Sequence, residues 1–477
     1  MITMKATTTN TPSTNKMRRD LAGGKRGDGW RRQVFSNEKR RLVRRPNPNT
    51  VRSGKPDSSL TSVAGLVAFG VYLNDIDIDA QLADLFGHIK TGKSVVYPMQ
   101  TQIRTLMDAM AMGEQRIFYL ESLSADPLFV HLAGGCISSI DTMYRDLERF
   151  CEEDITCLEE LMAHHGRAVA IPRGISKVHL DIDSTVEPLF GSQEGVVPGY
   201  NPRYHGRPSY HPILARIQET DACVGAILRP GNTTLGQDDV PFIRDVVERA
   251  NLELGKGQSL RVRIDSAADC TQVMAAIEDL GVAFITKAKM TEDLCQVIDN
   301  TQDWVTVDWD VDGKPLRQVA EIEFERDVWC KAERDFRVVA LRTLEETHGG
   351  QIFLWDGLEY TVKAFITCDY KTLADDIVRE YDDRAGIEPL IAELKNWWGI
   401  GKVPSQCFEA NHAMLLLKLL TANLVRRYVQ AKAPELFAWR VDWIRRVLFC
   451  VPGLLRHRAN GYKLRVPTYS YLARLLN

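Results

Sequence analysis

Between residues 60 and 165, apolar side chains recur every three or four positions, which is the spacing of one face of an α-helix. Strong strand patterns, in which apolar and polar residues alternate strictly, do not occur in this part of the chain. The pattern therefore predicts an all-α region over residues 57–165. The helices that it predicts are Thr61–Leu73, Ile76–Ile89, Met99–Met112 and Arg116–Leu123.

Residues 126–150, DPLFVHLAGGCISSIDTMYRDLERF, have the pattern of two short helices joined by a Gly-Gly turn. This arrangement resembles a helix-turn-helix, whose second helix presents side chains to a DNA groove. Many helix pairs turn on glycine without touching DNA, so a purely structural role stays open. The side chains that the second helix would offer to DNA are Ser138, Ser139, Thr142, Tyr144 and Arg145.

From residue 176 the pattern changes to short apolar runs separated by helical segments. Three predicted strands are followed by an alternation of helix and strand, which indicates an α/β unit with a mixed sheet over residues 166–302. The predicted strands are Lys177–Ile182, Tyr210–Glu219, Cys223–Arg229, Leu260–Ile264 and Val282–Ala288, and the predicted helices are Val240–Leu254 and Thr271–Leu280.

Residues 303–368 form a β-rich insertion in this prediction, because their segments alternate or are β-branched and Gly349-Gly350 and Asp356-Gly357 supply turns. The helical pattern resumes over residues 369–430, which we expect to complete the α/β unit. The remaining residues, 431–477, are predicted to be a basic helical region.

Composition adds few constraints. The chain has 477 residues, and its ten cysteines include no CxxC pair, which gives no indication of a zinc knuckle or a thioredoxin-like site. No apolar segment follows the charged N-terminus as it would in a signal peptide. The most apolar stretches, Leu60–Leu73 and Met414–Leu424, are too short to span a bilayer. We therefore expect a cytoplasmic protein with no membrane partner.

Charge is distributed unevenly along the chain, although the net charge is only −3. Residues 1–56 contain fifteen Lys/Arg against three Asp/Glu, and residues 425–465 contain ten against two. Two basic ends and an acidic middle suit a protein that holds DNA at its ends and metal ions at its centre. Residues 1–56 are predicted to be a mobile basic arm that either contacts DNA phosphates or only solubilises the chain; its candidate DNA-binding residues are Arg40, Arg41, Arg44 and Arg45.

Two apolar strands of the predicted sheet end in carboxylates. The first, HLDIDST, carries Asp181 and Asp183, which share a strand face and are not separated by this reasoning. The second, RVRIDS, ends in Asp265, and Asp269 follows where an acid is already favoured by the dipole of the next helix. Carboxylates at strand ends are placed to bind metal ions, although solvated acids at a strand edge would look the same.

A third carboxylate, Glu388, lies on a predicted helix with three other polar residues. At about 100° per residue, Tyr381, Arg384, Glu388 and Lys395 fall within roughly 60° of one another. Pro389 lacks an amide donor and disfavours α geometry before it, so a kink is expected there. The cations would hold DNA phosphates beside a metal-binding acid, and the alternative interpretation is a solvated helix face.

The third segment also has the spacing Y-(2)-R-(3)-E-(6)-K without gaps. This spacing resembles the signature of bacterial insertion-sequence DDE transposases, and within them the insertion-sequence family numbered thirteen-eighty. The stretches that carry the resemblance are LTSVAGLVAF, DPLFVHLAGG, LDIDST, GYNPRYHGRPSYHP, LRPGN, RIDS and VPSQCFEAN. They cover nearly the whole chain beyond residue 56.

The resemblance implies an RNase H-like catalytic core with a mixed sheet, interrupted by the β-rich insertion and preceded by the all-α DNA-binding region. Asp183, Asp265 and Glu388 would bind Mg²⁺, or Mn²⁺ in its place, and the DNA-binding residues would be Tyr381, Arg384 and Lys395.

The enzyme implied by the resemblance would hydrolyse the phosphodiester at the element's ends. It would then transfer the freed 3′-OH strand into target DNA. Its partner is double-stranded DNA, from the transposon ends and the target. A homodimer in the DNA complex and a nucleoid-associated place in a bacterial cytoplasm are further expectations. Related enzymes stack a tryptophan of the insertion on a flipped base; the candidates are Trp304, Trp309, Trp329 and Trp355.

Two other functions compete with this one. HLDIDSTV also resembles the haloacid-dehalogenase phosphatases, with Asp181 as nucleophile and Asp183 as acid/base. That family needs a lysine before its later pair of acids, whereas the candidate lysines, Lys287 and Lys289, follow Asp265 and Asp269. The second alternative is a catalytically idle DNA-binding protein descended from a transposase, but all three carboxylates are present.

Overall fold

The computed structural model describes residues 48–199, 201, 205–311, 313–344, 351–355, 358–459 and 461–476. The candidate DNA-binding residues Arg40, Arg41, Arg44 and Arg45 lie outside the described residues. Over the described ranges the protein is a mixed α/β structure with one large sheet.

The helical pattern after residue 60 produces seven helices in the described chain up to residue 167. Met99–Met112 has the bounds that the sequence predicts, because it begins directly after Pro98 and ends at Gly113, whose φ of 109° favours glycine. The predicted helix Arg116–Leu123 is instead a 3₁₀ turn followed by a short helix. The seven are α1 Gly65–Asp75, α2 Ile78–Phe86, α3 Met99–Met112, α4 Leu120–Leu123, α5 Pro127–Leu132, α6 Ile140–Leu147 and α7 Glu152–Arg167.

The strands of the large sheet follow the apolar runs and alternating segments of the sequence. Ten strands form the large sheet, three small ones form a second sheet after the first long strand, and three form a third sheet near the C-terminus. The strands are β1 Leu60–Thr61, β2 Lys177–Ser184, β3 Glu187–Pro188, β4 Val197–Pro198, β5 Pro208–Tyr210, β6 Ile213–Ile217, β7 Ala222–Ile227, β8 Ser259–Ile264, β9 Ala283–Lys287, β10 Val305–Trp309, β11 Pro315–Ile322, β12 Arg337–Leu344, β13 Gln351–Trp355, β14 Leu358–Thr367, β15 Gly453–Arg458 and β16 Gly461–Arg465.

Nine further helices follow residue 230 in the described chain. They are α8 Val240–Leu252, α9 Thr271–Asp279, α10 Glu292–Asn300, α11 Asp327–Lys331, α12 Ala374–Asp382, α13 Ile387–Glu393, α14 Phe408–Lys432, α15 Val441–Ile444 and α16 Leu472–Leu475.

The large sheet has the order β10-β11-β12-β14-β9-β8-β2-β6-β7, with β13 paired to β14. β2, β6 and β7 form an antiparallel meander, whereas β8 and β9 continue the sheet parallel to β2. The parallel arrangement places the carboxyl ends of β2, β8 and β9 at one edge of the sheet. The mixed sheet that the sequence predicts is confirmed.

The β-rich insertion continues this sheet instead of forming a separate unit. β14 pairs antiparallel with β9, for example Phe365 with Lys287, and so carries the strands of residues 305–367 onto the sheet's edge. The sequence pattern predicts the strands themselves, but their pairing depends on contacts distant in the chain.

The prediction of a helical C-terminal region is wrong for residues 453–465, although Leu472–Leu475 is helical. Pro452 cannot continue a helix, and the chain forms the hairpin β15–β16, in which Leu455 and Leu464 lie opposite each other. β15 also pairs with the short strand β1, so the region over residues 57–165 is not purely helical.

α14 lies at the centre of the helical half of the protein and is buried along most of its length. It packs on α7, α3 and β7. Its one buried cation, Lys418, donates to the carbonyls of Gly399 and Lys402, and burial lowers the pKa of this lysine to about 7. Within the described part of the chain, no helix has both the length and the apolarity that crossing a membrane requires.

Two helical glycines test this packing. A Cβ on Gly166 of α7 would lie 2.0 Å from the carbonyl oxygen of Cys223 in β7, whereas a Cβ on Gly70 of α1 meets only the tip of Arg104, at 3.4 Å. We expect Gly166→Ala to lower the free energy of unfolding by about 1–3 kcal/mol, since neither backbone can yield. Gly70→Ala should leave it unchanged or raise it by up to about 1 kcal/mol. Thermal unfolding of both variants checks this, and equal melting temperatures would contradict the packing.

Candidate active site at the carboxyl ends of parallel strands

Asp183 and Asp265 lie side by side at one edge of the large sheet. The parallel pairing of β2 with β8 ends at Ile182 and Ile264, and each aspartate is the next residue. Asp265 is held in place because its side chain accepts from the amide of Ala267 at 3.0 Å and its carbonyl accepts from Thr286 at 2.8 Å. The structure therefore brings together the acids that end the two predicted strands.

The electrostatics of Asp183 are those of a crowded acid. Burial raises the pKa of its carboxyl, and the nearby Asp265 carboxylate raises it further. Arg384 opposes both effects, with a guanidinium nitrogen 3.1 Å from Asp183 Oδ1. The pKa of Asp183 stays raised although Arg384 is close, which favours the binding of further positive charge.

Lys287 occupies the same level of the sheet on the next strand. Because Ile264 pairs with Thr286, Lys287 stands beside Asp265 on the same face. Burial and the neighbouring Lys363 lower the pKa of Lys287, and Asp265 opposes them. Sequence reasoning considered Lys287 only for the phosphatase alternative; the residue's place at the end of a strand parallel to the other two was the available signal.

Asp181 shares the strand face of Asp183 but has a different environment. Its side chain is fully buried and accepts from Arg216 at 3.0 and 3.2 Å and from Arg263 at 2.7 Å. All of its charge is therefore committed to two buried guanidinium groups. This separates two aspartates that the sequence left equivalent: Asp181 is structural, and Asp183 is available for chemistry.

The charged layer continues below Asp181. His179 donates to or accepts from Glu219 and Glu380, at 2.7 and 3.0 Å, and these bonds raise its pKa although burial lowers it. Burial alone would raise the pKa of Glu380, but hydrogen bonds with His179 and Lys177 bring it down to about 2. Sequence reasoning missed this network. Its signal is the charge at every second position of apolar strands, His179 and Asp181 in β2 and Arg261 and Arg263 in β8.

Tyr381 and Arg384 reach the site from α12 and the 3₁₀ turn that follows it. The ring of Tyr381 packs on Phe365, with centroids 4.8 Å apart. Burial, with contributions from Asp265 and Asp183, raises the pKa of Tyr381 to about 12. Arg384 also donates to the carbonyl of Ile182 at 3.1 Å, and so ties the helical segment to the end of β2.

Glu388 lies in the first turn of α13 and is exposed. The single helix that the sequence predicts is broken into α12, a 3₁₀ segment Asp383–Gly386, α13 and a π-helical turn Leu394–Trp398. A 3₁₀ residue advances about 120° instead of about 100°, so four of them rotate α13 by roughly 80° relative to an unbroken helix. Pro389 falls in the first turn of α13, where a missing amide is tolerated.

The three candidate acids do not converge on one point. Within the described ranges, the one group of three His, Cys, Asp or Glu side chains whose ligand atoms all lie within 4.8 Å is Glu194, Cys407 and Glu409. Asp183 and Asp265 both influence the pKa values of Tyr381 and Arg384, so these four residues are brought together. Glu388 does not join the two aspartates in a group whose ligand atoms all lie within 4.8 Å.

Comparison with known proteins identifies the chain's family. A family model described as transposase DDE domain group 1 matches residues 48–477. The chain belongs to this family. It is a DNA transposase, an enzyme that cleaves DNA and transfers strands.

Two solved structures are similar to this transposase. One is a cryo-EM structure of the piggyBac transposase synaptic complex with hairpin DNA, at 12% identity over 80% of this chain and 78% of that chain, with a TM-score of 0.40. The other is the Drosophila P element transposase strand transfer complex, at 12% identity over 46% and 43%, with a TM-score of 0.21. At these TM-scores neither likeness bears on the site. No curated protein matches the chain.

The phosphatase alternative is not favoured by the family or by the site. Its nucleophile would be Asp181, which has no exposed surface. One acid of its later pair, Asp269, is held by Arg326 at 2.5 and 3.0 Å and accepts from the amide of Lys289. Asp269 also precedes α9 instead of lying in its first turn.

Lys395 of the transposase points to the segment after β2. Its Nζ donates to the carbonyl of Val186 at 2.8 Å and lies 3.2 Å from Glu187 Oε1. Glu187 is buried, which raises its pKa, while Lys395 lowers it. In this state Lys395 holds the chain that leaves Asp183.

The helix pair of residues 126–150 is present as α5 and α6. Ser139 caps α6, accepting from the amide of Thr142 at 3.3 Å, and Arg145 is exposed and lies back along its own helix. Ser138, by contrast, is buried and accepts a hydrogen bond from Gln102 at 2.8 Å. The prediction that Ser138 is exposed to a DNA groove is therefore wrong.

The candidate tryptophans differ in exposure. Trp329 is buried in the core, and Trp304 donates to the carbonyl of Thr301 at 2.9 Å. Trp309, in β10, is 61% exposed. The side chain of Trp355 lies outside the described residues.

Removing either aspartate of β2 tests the distinction between them. Asp181→Asn leaves the buried Arg263 without a counter-charge and leaves Arg216 paired with Asp221 alone, so we expect a loss of about 3–5 kcal/mol of stability. The pKa of Asp183 is raised in the folded protein, so its charged form destabilises the fold at any pH above that pKa. Asp183→Asn removes this charge, and the variant should therefore be at least as stable as the parent at neutral pH. Thermal unfolding at neutral pH compares the two. Equal melting temperatures would show that Asp181 does not have the structural role described.

Proposed function

We propose that Asp183, Asp265 and Glu388 are the catalytic, metal-binding residues of this transposase. The observation that carries the proposal is the juxtaposition of Asp183 and Asp265 at the ends of neighbouring parallel strands. The spacing of Tyr381, Arg384, Glu388 and Lys395 supports the third acid and a place in the insertion-sequence family numbered thirteen-eighty.

The donor set fits a hard divalent cation. Carboxylate oxygens are the ligands that Mg²⁺ and Mn²⁺ accept. Asp265 raises the pKa of Asp183, so the two negative charges repel each other when no cation lies between them. Arg384 Nε is buried without a hydrogen-bond partner, so this guanidinium keeps a donor for an anionic group such as a DNA phosphate. When bound, the ions supply activation of water and stabilisation of charge on the attacking and leaving oxygens.

The strand order supports an RNase H-like core. A three-stranded antiparallel meander, β2-β6-β7, is extended on its other side by β8 and β9, which run parallel to β2. We propose that the family's catalytic core consists of these five strands with the helices that cover them, and that β10–β14 are its insertion.

The chain's own cations have distinct roles in this proposal. Arg384 and Lys287 flank the two aspartates, where they would neutralise the phosphate whose bond is broken. Tyr381 packs beside them and would position the DNA end, while Lys395 keeps the segment after Asp183 in place.

Glu388 completes the site in this proposal when DNA binds. The residue is exposed, and it follows a 3₁₀ segment whose conversion to α-helix would rotate it relative to Arg384. Because a transposition reaction joins two ends to one target, we also propose that the protein acts as a homodimer in the DNA complex.

Cleavage of an element-end duplex tests the three acids. With Mg²⁺ present, Asp183→Asn, Asp265→Asn and Glu388→Gln should each reduce the cleavage rate by at least about a hundredfold, because each removes part of the charge that holds the ions. Gel analysis of a labelled duplex carrying the element's own end measures the rate.

Asp383→Asn is the matched control for Glu388→Gln, since Asp383 is an exposed acid on the same helical run. It should cleave at the parent's rate. Full cleavage by Glu388→Gln would remove Glu388 from the site. A parent protein that binds the duplex but cleaves nothing with Mg²⁺ or Mn²⁺ would instead favour the idle DNA-binding alternative.

A further inference from the structure

The hairpin β15–β16 separates its side chains into two faces of different character. Residues opposite each other in the antiparallel register share a face. Leu455 and Leu464 form one such pair, and His457 and Tyr462 continue the same face. The other face carries Leu454 and four cations, Arg456, Arg458, Lys463 and Arg465.

The first face anchors the hairpin to the helical region. Leu455 is buried, and its amide donates to the carbonyl of Ser59 at 2.7 Å. The ring of Tyr462 lies 4.3 Å from that of His131 in α5 and 5.1 Å from that of His457. The hairpin is therefore fixed against the first helix of the candidate helix-turn-helix.

The strand β1, which pairs with the base of the hairpin, is tied to the same helix. Thr61 donates to Asp126 Oδ1 at 2.7 Å, and the same carboxylate caps α5 by accepting from Leu128 and Phe129. Sheet and helix thus form one rigid support.

The second face is electrostatically unbalanced. Arg456 lies directly opposite Lys463, an arrangement of like charges that destabilises an antiparallel pair. All four cations are exposed, and none of them has an ion pair with any described carboxylate. This face does influence one nearby described acid, Asp57. Hydrogen bonds from Ser59 lower the pKa of Asp57 most, and Arg456 lowers it by a smaller amount.

We propose that this cationic face is a docking surface for the phosphate backbone of duplex DNA. The proposal rests on the DNA-transposase function described above and goes beyond its catalytic residues. A major groove about 12 Å wide admits a two-stranded ribbon, and cations spaced along two strands match a row of phosphates. The repulsion between Arg456 and Lys463 is then relieved by the partner.

Protection of a strand edge is the competing explanation, because charged side chains also prevent edge-to-edge association. That role needs charge on the hairpin but no DNA. The two explanations differ in what salt does to DNA affinity.

The test compares full-length Arg456→Gln/Lys463→Gln with its parent, using a fluorescent random-sequence duplex over a range of NaCl concentrations. Loss of two phosphate contacts should reduce the slope of log affinity against log salt by about 1.8. Arg456→Lys/Lys463→Arg should keep the parent's slope. The melting temperature of the double Gln variant should be no lower than the parent's, since a like-charge pair is removed.

Arg173→Gln/Lys256→Gln is the matched control. These exposed cations precede β2 and β8, at the edge of the sheet opposite Asp183 and Asp265. The control should bind with the parent's slope. An unchanged slope in the hairpin variant would overturn the proposal, and so would an equal reduction in both variants, which would reflect net charge alone.

Failure of the hairpin proposal can be told apart from failure of the catalytic proposal. Asp183→Asn should bind the same duplex with the parent's slope, while its cleavage of the element-end substrate falls by at least about a hundredfold. If the double Gln variant misfolds, the single Lys463→Gln variant should still lower the slope by about 0.9; an unchanged slope there would also overturn the proposal.

Discussion

The carboxylate of Asp181, enclosed between Arg216 and Arg263, is the interaction on which the rest of the site depends. Taking such charges out of water costs several kcal/mol per ion, which only close and complete pairing offsets. The three residues come from β2, β6 and β8, so the pairing fixes these strands in one register. That register places Asp183 and Asp265, which follow the last paired residues of β2 and β8, beside each other.

Above and below this pairing the sheet face has opposite properties. Below it, His179 and Glu380 satisfy each other within a network of charged side chains. Above it, burial and Asp265 raise the pKa of Asp183 by more than Arg384 lowers it. The paired charges around Asp181 and His179 thus form a rigid support for Asp183 and Asp265, whose negative charge is not fully balanced. This is the arrangement expected where a transposase must bind cations and phosphate.

Much of the fold could be predicted from the sequence because its strands and helices have clear periodicity, and α3 even has the predicted bounds. The register of β2 against β8 could not, and neither could the choice between Asp181 and Asp183, because both depend on arginines distant in the chain. The kink expected at Pro389 lies instead at Asp383–Gly386, where a continuous 100° rotation was assumed. The hairpin after Pro452 was missed because its strands are short and carry four cations among eleven residues.

The central claim is that Asp183 and Asp265 together form a divalent-metal site on a support that Asp181 holds in place. Mn²⁺ binding followed by electron paramagnetic resonance tests it most directly, with Glu409→Gln in every protein to remove the separate acid group at Glu194, Cys407 and Glu409. The account predicts that this background protein binds Mn²⁺ and that adding Asp183→Asn and Asp265→Asn abolishes the binding. Undiminished Mn²⁺ binding without both aspartates would contradict it.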